Sequence, residues 1–238
     1  MLDKDKILSD AKEWFTESFA KSHIANTEKL VNPNEFNINH FTAVYLANFL
    51  TGNSSPESIA KVLLLPRVLG TSVTTIFGTG IQKFTNEVLG TFGSTTNGID
   101  IEFIDQVDGH KKYCQLKSGP NTINKDDIQT IAGHFTDVIH LSRTNNLRVT
   151  HQDLIVGVIY GKPQDLSNFY KKITKDHHYP VFIGQEFWHR LTGDPEFYDD
   201  LLSAIGSVAV EADFSKEFDE VIKKLAATDE IKSLSNHD

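Results

Sequence analysis

Seven consecutive residues near the middle of the chain, Leu154 to Tyr160 (LIVGVIY), constrain the fold more than any other feature. The run is β-branched and offers no polar face, so as a strand it is buried on both sides and needs a layer above and below it. The flanking sequence supplies those layers. Ile99 to Ile104 alternates, with Ile99, Ile101 and Phe103 on one face and Asp100 and Glu102 on the other, the pattern of a half-buried strand. Val107-Asp108-Gly109-His110 carries the Asp-Gly hairpin signal. A return strand runs from about Lys112 to Lys117, with Tyr113, Gln115 and Lys117 facing one way and Cys114 and Leu116 the other. Beyond the breaker Ser118-Gly119-Pro120-Asn121, apolar spacing through Ile128, Ile131, Phe135 and Val138 to Ser142 predicts a helix over about 125–142, capped by Asn124. Val181 to Ile183 reads as a short strand, followed by a helix from near Gln185 and helical segments near 196–210 and 214–227. Strand, hairpin, helix, buried strand, strand, helix is an α/β layering.

The first sixty residues are helical. Ile7, Ala11, Trp14, Phe15 and Phe19 fall at helical spacing over 3–21, 32–40 is turn-rich, and Phe41 to Leu50 forms a second helix closed by Gly52-Asn53. Ser55 caps a third, with Pro56 at its first position. The Gly- and Thr-rich stretch 70–98 is ambiguous, with 81–89 its best helical piece. Neither repeats nor a low-complexity linker interrupts the chain, so one domain is expected over 1–238: a helical portion over 1–65 that is also a candidate dimer contact, an α/β core over 66–195 and acidic helices over 196–238.

The net charge of −9 argues at first against a nucleic-acid partner. Its distribution weakens that objection: residues 1–60 carry −3, residues 61–190 carry +2 and residues 191–238 carry −8. The acidic excess is concentrated in the C-terminal stretch, which could face away from phosphates or simply be a solvated helical face. Cys114, the single cysteine, forbids an intrachain disulfide or a cysteine-based zinc cluster, and reads as a core thiol. The strongly apolar run is too short to span a bilayer and MLDKDKILSD lacks a signal-peptide core, so a cytoplasmic protein with no membrane partner is expected. Gly78-Thr79-Gly80 matches no phosphate-binding loop, which leaves no nucleotide cofactor expected. Asp176-His177-His178 reads as a loop, and Phe187 and Trp188 as residues that pack the sheet or a dimer contact.

The hairpin is where chemistry is expected. It brings Asp100 and Glu102 toward Gln115 and Lys117 if the polar faces coincide. An acid on one strand and a polar-x-Lys triplet on its neighbour suit phosphodiester hydrolysis with Mg²⁺, which binds through one or two carboxylates plus waters and substrate oxygen. Lys117 would position water or stabilise charge on the phosphoryl oxygens, while Gln115 and the main-chain carbonyl of Leu116 would add neutral ligands. Polar alternation on a solvent-facing sheet produces the same pattern without catalysis.

The segment Ile99-Asp100 … Gln115-Leu116-Lys117 resembles the PD-(D/E)XK nuclease signature. Ordered blocks around it, LLPRVLG (64–70), LKSG (116–119), IVGVIYG (155–161) and GQEFW (184–188), resemble one branch of that superfamily. That branch is the type II restriction endonucleases cutting short palindromes that begin GG and end CC. The likeness runs from about Asn32 to Leu191. It implies a restriction-endonuclease-like mixed sheet flanked by helices, double-stranded DNA as substrate, Mg²⁺ as cofactor and a homodimer matched to a two-fold site. Asp100 takes the metal-binding aspartate and Lys117 the catalytic lysine. Gln115 stands where most of the superfamily has an acid, and Glu102 or Glu87 could compensate. The turn from Ser118 through Asn121, Thr122 and Asn124 to Lys125 and Gln129 is the best candidate DNA-facing element, although a capped helix after a Gly-Pro turn explains it equally. Arg67 and Lys83 are further candidate DNA contacts. A repair or recombination nuclease of the same fold, or a non-catalytic DNA-binding protein, are the alternative readings.

Overall fold

The computed structural model describes residues 3–211 and 213–235 of the 238. They group into two compact units: residues 3–14 with 80–207, and residues 15–79 with 208–211 and 213–235.

The first unit is built on a four-stranded sheet of order β1-β2-β3-β4: β1 (Ile101–Ile104), β2 (Lys111–Lys117), β3 (Leu154–Val158) and β4 (Val181–Ile183). The hairpin pairs β1 antiparallel to β2, with Ile101 opposite Cys114, while β2, β3 and β4 run parallel. The sheet is therefore mixed, as expected. Every residue of β3 is buried, as its unbroken apolar run requires. Both parallel connections cross over through helices, α6 (Lys125–Thr144) between β2 and β3, and α7 (Asn168–His177) between β3 and β4. Ile128, Ile131, Phe135 and Val138 of α6 and Tyr170 and Ile173 of α7 pack with Tyr113, Val156 and Val158 on one face. On the other face a side chain at Gly157 would collide with the Phe187 ring at 2.5 Å and with Cys114 Sγ at 2.9 Å, so a glycine lets α8 (Gln185–Thr192) press against the sheet. Trp188, fully buried, donates Nε1–H to Ile159 O (2.9 Å) and meets Phe84 edge-on. Both faces of β2 are thus as expected, with Cys114 and Leu116 opposite Tyr113, Gln115 and Lys117.

In the second unit Asn39 caps α3 (His40–Thr51), and Gly52, at φ +77°, ends it. Ser55 caps α4 (Pro56–Pro66), whose Ile59, Ala60 and Leu64 pack with Ala43 and Ala47 of α3 and with Val221, Ile222 and Leu225 of α10 (Ser215–Ala226). The helical run Pro56–Gly78 is long and apolar enough to cross a membrane by length and composition. Here Ile59, Ala60, Leu64 and Val68 bury one of its faces in the core of this unit.

Several expectations need correcting. The stretch 70–98 is far more helical than its glycines suggest: after Pro66 a π-helical turn, Arg67–Ser72, leads into α5 (Val73–Glu87). The wider π turn accommodates the chain past a residue with no N–H, and buried Ile76 and Phe84 outweigh helix propensity. The N-terminal helix is α1 (Lys4–Trp14), followed by a π-helical Phe15–Ala20 and α2 (Lys21–Glu28). The first strand begins at Ile101, two residues later than its alternation suggests. His177 closes α7 and His178 is its left-handed cap at φ +60°, so neither lies in a free loop. Unpredicted are α7 itself and α11 (Asp229–Ser235), while α9 (Phe197–Glu211) falls where a helix was expected.

Candidate active site

Asp100 stands one residue before β1, where its N–H reaches Cys114 O (3.0 Å) and extends the hairpin pairing. Its carboxylate turns back across β2 and accepts the Leu116 N–H at 2.7 Å. Gln115 and Lys117, two residues apart, share the β2 face that α6 covers. A pocket of about 250 Å³ results, lined by Gly98, Ile99, Asp100, Gln115, Lys117, Asp127, Thr130, Ile131 and His134. The three residues singled out from the sequence are therefore on one wall of one cleft.

Their environments differ. Surrounding protein desolvates the Asp100 carboxyl and raises its pKa, against the opposing pull of the Leu116 N–H, the Lys117 ammonium and His134. Lys117 is half-buried, and among the described residues no carboxylate is ion-paired with it. Gln115 is 6% exposed. Its amide nitrogen donates to Gly98 O and to His134 Nδ1, both short contacts. That leaves Nδ1 of His134 as an acceptor and fixes the orientation of the amide, leaving Oε1 for the pocket. Gly98 is essential to this packing: at φ +75° it tolerates a backbone that other residues resist, and a Cβ there would lie 2.3 Å from the His134 ring.

The oxygen donors here, one carboxylate and a neutral amide, with Asp127 across the pocket, suit a hard cation that retains several waters. Among the described residues no cluster of three or more His, Cys, Asp or Glu forms a ready metal cage.

The compensating acids are not in this pocket. Glu102 is drawn to the neighbouring hollow, where Lys111 Nζ lies 2.6 Å away and Ser94 Oγ and Thr96 Oγ1 donate to it at 2.5 and 2.9 Å. Desolvation by burial is the largest single cause and raises its pKa, but the bonds from Lys111, Ser94 and Thr96 together outweigh it and leave the pKa lowered. Glu87 pairs with Lys83 on the exposed surface of α5 (3.6 Å), which also occupies Lys83. The carboxylate that does line the pocket is Asp127, in the first turn of α6, whose Oδ2 accepts the Asn124 N–H at 2.7 Å. Sequence reading missed Asp127, Thr130 and His134, although their spacing of three and four residues marks one stripe along α6 beside its apolar stripe.

The turn candidates separate. Ser118 is buried (7% exposed), with Gly119 and Pro120. Thr122 Oγ1 donates to Gly119 O (2.9 Å) and sits 3.1 Å from the Tyr170 hydroxyl. Asn124 is committed to the cap of α6, accepting from Asp126 N and Asp127 N. Asn121, Thr122, Asn124, Lys125 and Gln129 are exposed. Arg67 belongs to the second unit, where it is exposed and donates to Glu35 O (2.9 Å). Cys114 is fully buried and its thiol pKa is pushed well up by desolvation, as expected of a core residue.

A family model described as type II restriction endonuclease EcoO109I matches residues 47–213, more than two-thirds of the chain and including the whole pocket. No curated protein matches the sequence. The restriction-endonuclease resemblance is borne out at the level of the family.

Proposed function

From the premise that the chain belongs to the type II restriction endonuclease EcoO109I family, and therefore is a deoxyribonuclease acting on double-stranded DNA, we propose a finer reading. The protein is a Mg²⁺-dependent member of the PD-(D/E)XK superfamily, homodimeric, cleaving at a short palindrome that begins GG and ends CC. The observation that carries this reading is the convergence of Asp100, Gln115 and Lys117 on one pocket.

In this reading Asp100 and Gln115 Oε1 hold the cation, with the Leu116 N–H fixing the Asp100 carboxylate and His134 fixing the amide. Bound there, Mg²⁺ supplies charge neutralisation and Lewis acidity at the scissile phosphate. Lys117, which is ion-paired with no carboxylate among the described residues, orients the attacking water and stabilises charge on the phosphoryl oxygens. Water attacks phosphorus in line with the leaving O3′, whose bond to phosphorus breaks to give a 3′-hydroxyl and a 5′-phosphate. Asp127, rather than Glu102 or Glu87, supplies the pocket's second carboxylate. Exposed Asn121, Thr122, Asn124, Lys125 and Gln129 are the DNA-facing candidates of the turn, positioned at the opening of α6.

Digestion of a long mixed-sequence DNA with Mg²⁺, with and without a chelator, tests the reading when the fragment ends are sequenced. Discrete chelator-sensitive fragments sharing one GG…CC palindrome are expected. A smear favours a repair nuclease, and binding without cleavage favours a non-catalytic scaffold on which Gln115 marks lost activity.

A further inference from the structure

We infer that α3 carries the self-association surface of this protein, its occupant a second copy of the same helix; the inference rests on the two-fold reading above. Packing within its own unit uses the side of α3 that carries Ala43 and Ala47, which are 2% and 0% exposed, with Val44 partly buried beside them. The large side chains point outward: Phe41 is 95% exposed, Phe49 76%, Tyr45 64%, Leu50 51% and Leu46 43%. Phe41, Tyr45 and Phe49 recur at i, i+4 and i+8, so they form one stripe, and the Tyr45 and Phe49 rings stack at 6.1 Å. From Phe36 to Pro56 the chain has no Asp, Glu, Lys or Arg.

This combination selects the partner. A surface without cations cannot neutralise phosphates, which excludes the nucleic-acid backbone as occupant. Interfacial membrane helices are rich in Lys and Arg on their polar face, and α3 has neither. A charge-free aromatic face is complementary to another of the same kind, and a two-fold axis supplies one without a second protein. The area also fits. At roughly 200 Å² per fully exposed large side chain, the five residues leave on the order of 650 Å² per copy, and two copies about 1,300 Å², within the range of a specific interface. That exceeds the few hundred Å² of apolar patch that a monomer ordinarily exposes.

Sedimentation velocity of the full chain, as wild type and as Phe41→Glu/Phe49→Glu, tests the inference. The wild type should sediment as a dimer at micromolar concentration. The double variant should be monomeric under the same conditions, its dissociation constant raised at least 100-fold, with an unchanged circular dichroism spectrum because both positions are exposed. Tyr45→Lys is the second variant should the first fail to fold, and it should also weaken the dimer. A double variant that remains dimeric overturns the assignment, as does a wild type that stays monomeric, or one that instead binds phosphatidylcholine vesicles through α3. Failure here is separable from failure of the nuclease reading. Mg²⁺-dependent cleavage by a dimer that survives the substitutions removes only this surface, whereas a dimer broken at α3 whose wild-type parent cleaves no DNA removes only the proposed cleavage.

Discussion

Two lysines of β2, five positions apart, have opposite fates. Lys112 lies at the turn end of the hairpin and is 2% exposed, its ammonium 2.8 Å from Asp108, 3.5 Å from Asp153 and 3.1 Å from Gln152 O. Beside it Arg190 pairs at 2.7 Å with Asp105, which has no exposed surface. Lys117 lies at the open end, half-buried and ion-paired with no carboxylate among the described residues, next to an aspartate whose pKa is raised rather than lowered. One end of the strand spends its charges on each other, and the other keeps them available to a ligand. Perturbed groups of the second kind, in a cleft, are those that point to function, whereas the first kind is architecture.

The largest expected effect comes from exchanging the two lysines' fates by mutation. Lys117→Ala should lower the cleavage rate by about 10²–10³-fold, the scale of one lost electrostatic stabiliser, while leaving the melting temperature nearly unchanged. Asp100→Ala should do the same or more. Steady-state digestion of a palindromic duplex measures both, and full activity in either variant would falsify the catalytic assignment. Lys112→Ala should do the reverse. It strands the largely buried Asp153 without its cation and should cost roughly 3 kcal/mol of stability, read by urea denaturation. Activity per folded molecule should be retained.

A smaller effect is expected one layer out. His134→Ala removes the acceptor that orients the Gln115 amide, and should lower activity or apparent Mg²⁺ affinity about 10–100-fold, the usual penalty for losing a group that orients a metal ligand. Gly98→Ala should resemble it, because its Cβ would displace the same ring. A His134→Ala enzyme with wild-type metal dependence would reduce His134 to a packing residue.

These contrasts also show why only part of the molecule was legible in the sequence. β3 was legible because a strand buried on both faces leaves an unbroken apolar run, and α6 because its cap and apolar stripe are local signals. Asp100, Gln115 and Lys117 were placed together because a hairpin converts sequence spacing into spatial register. Glu102 was not placed, because its carboxylate is claimed by Ser94, Thr96 and Lys111, and a competition among side chains leaves no periodic trace. His134 and Asp127 reach the pocket only because α6 crosses over the sheet, a tertiary fact. The helix through 70–87 was obscured by glycines whose local preference is overridden by the packing of Ile76 and Phe84. The helix over Phe41 to Leu50 was legible, but which of its faces is buried was not, because the small Ala43 and Ala47 pack inward and Phe41, Tyr45 and Phe49 stay exposed.

The smallest effect is the pH dependence of stability, where the two ends of the hairpin should differ in sign. Asp108 and Asp153 have lowered pKa values despite desolvation, chiefly through bonds from Lys112 and the His110 N–H for the first, and from Thr150 for the second. Their contribution is present above the unfolded carboxylate pKa of about 3.9 and is lost as pH falls through their folded values. Asp100 is the opposite case. Its folded pKa lies above the unfolded one, so ionising it opposes folding, and stability declines as pH rises through that interval. Asp108→Asn should therefore flatten the acid limb of a melting-temperature profile between about pH 5 and 2. Asp100→Asn, whose amide oxygen still accepts the Leu116 N–H, should leave the protein as stable or slightly more stable at pH 7 while abolishing cleavage. A destabilised Asp100→Asn protein would mean that the carboxylate is held by its neighbours as tightly as those at the turn end, and the difference between the two ends of β2 would disappear.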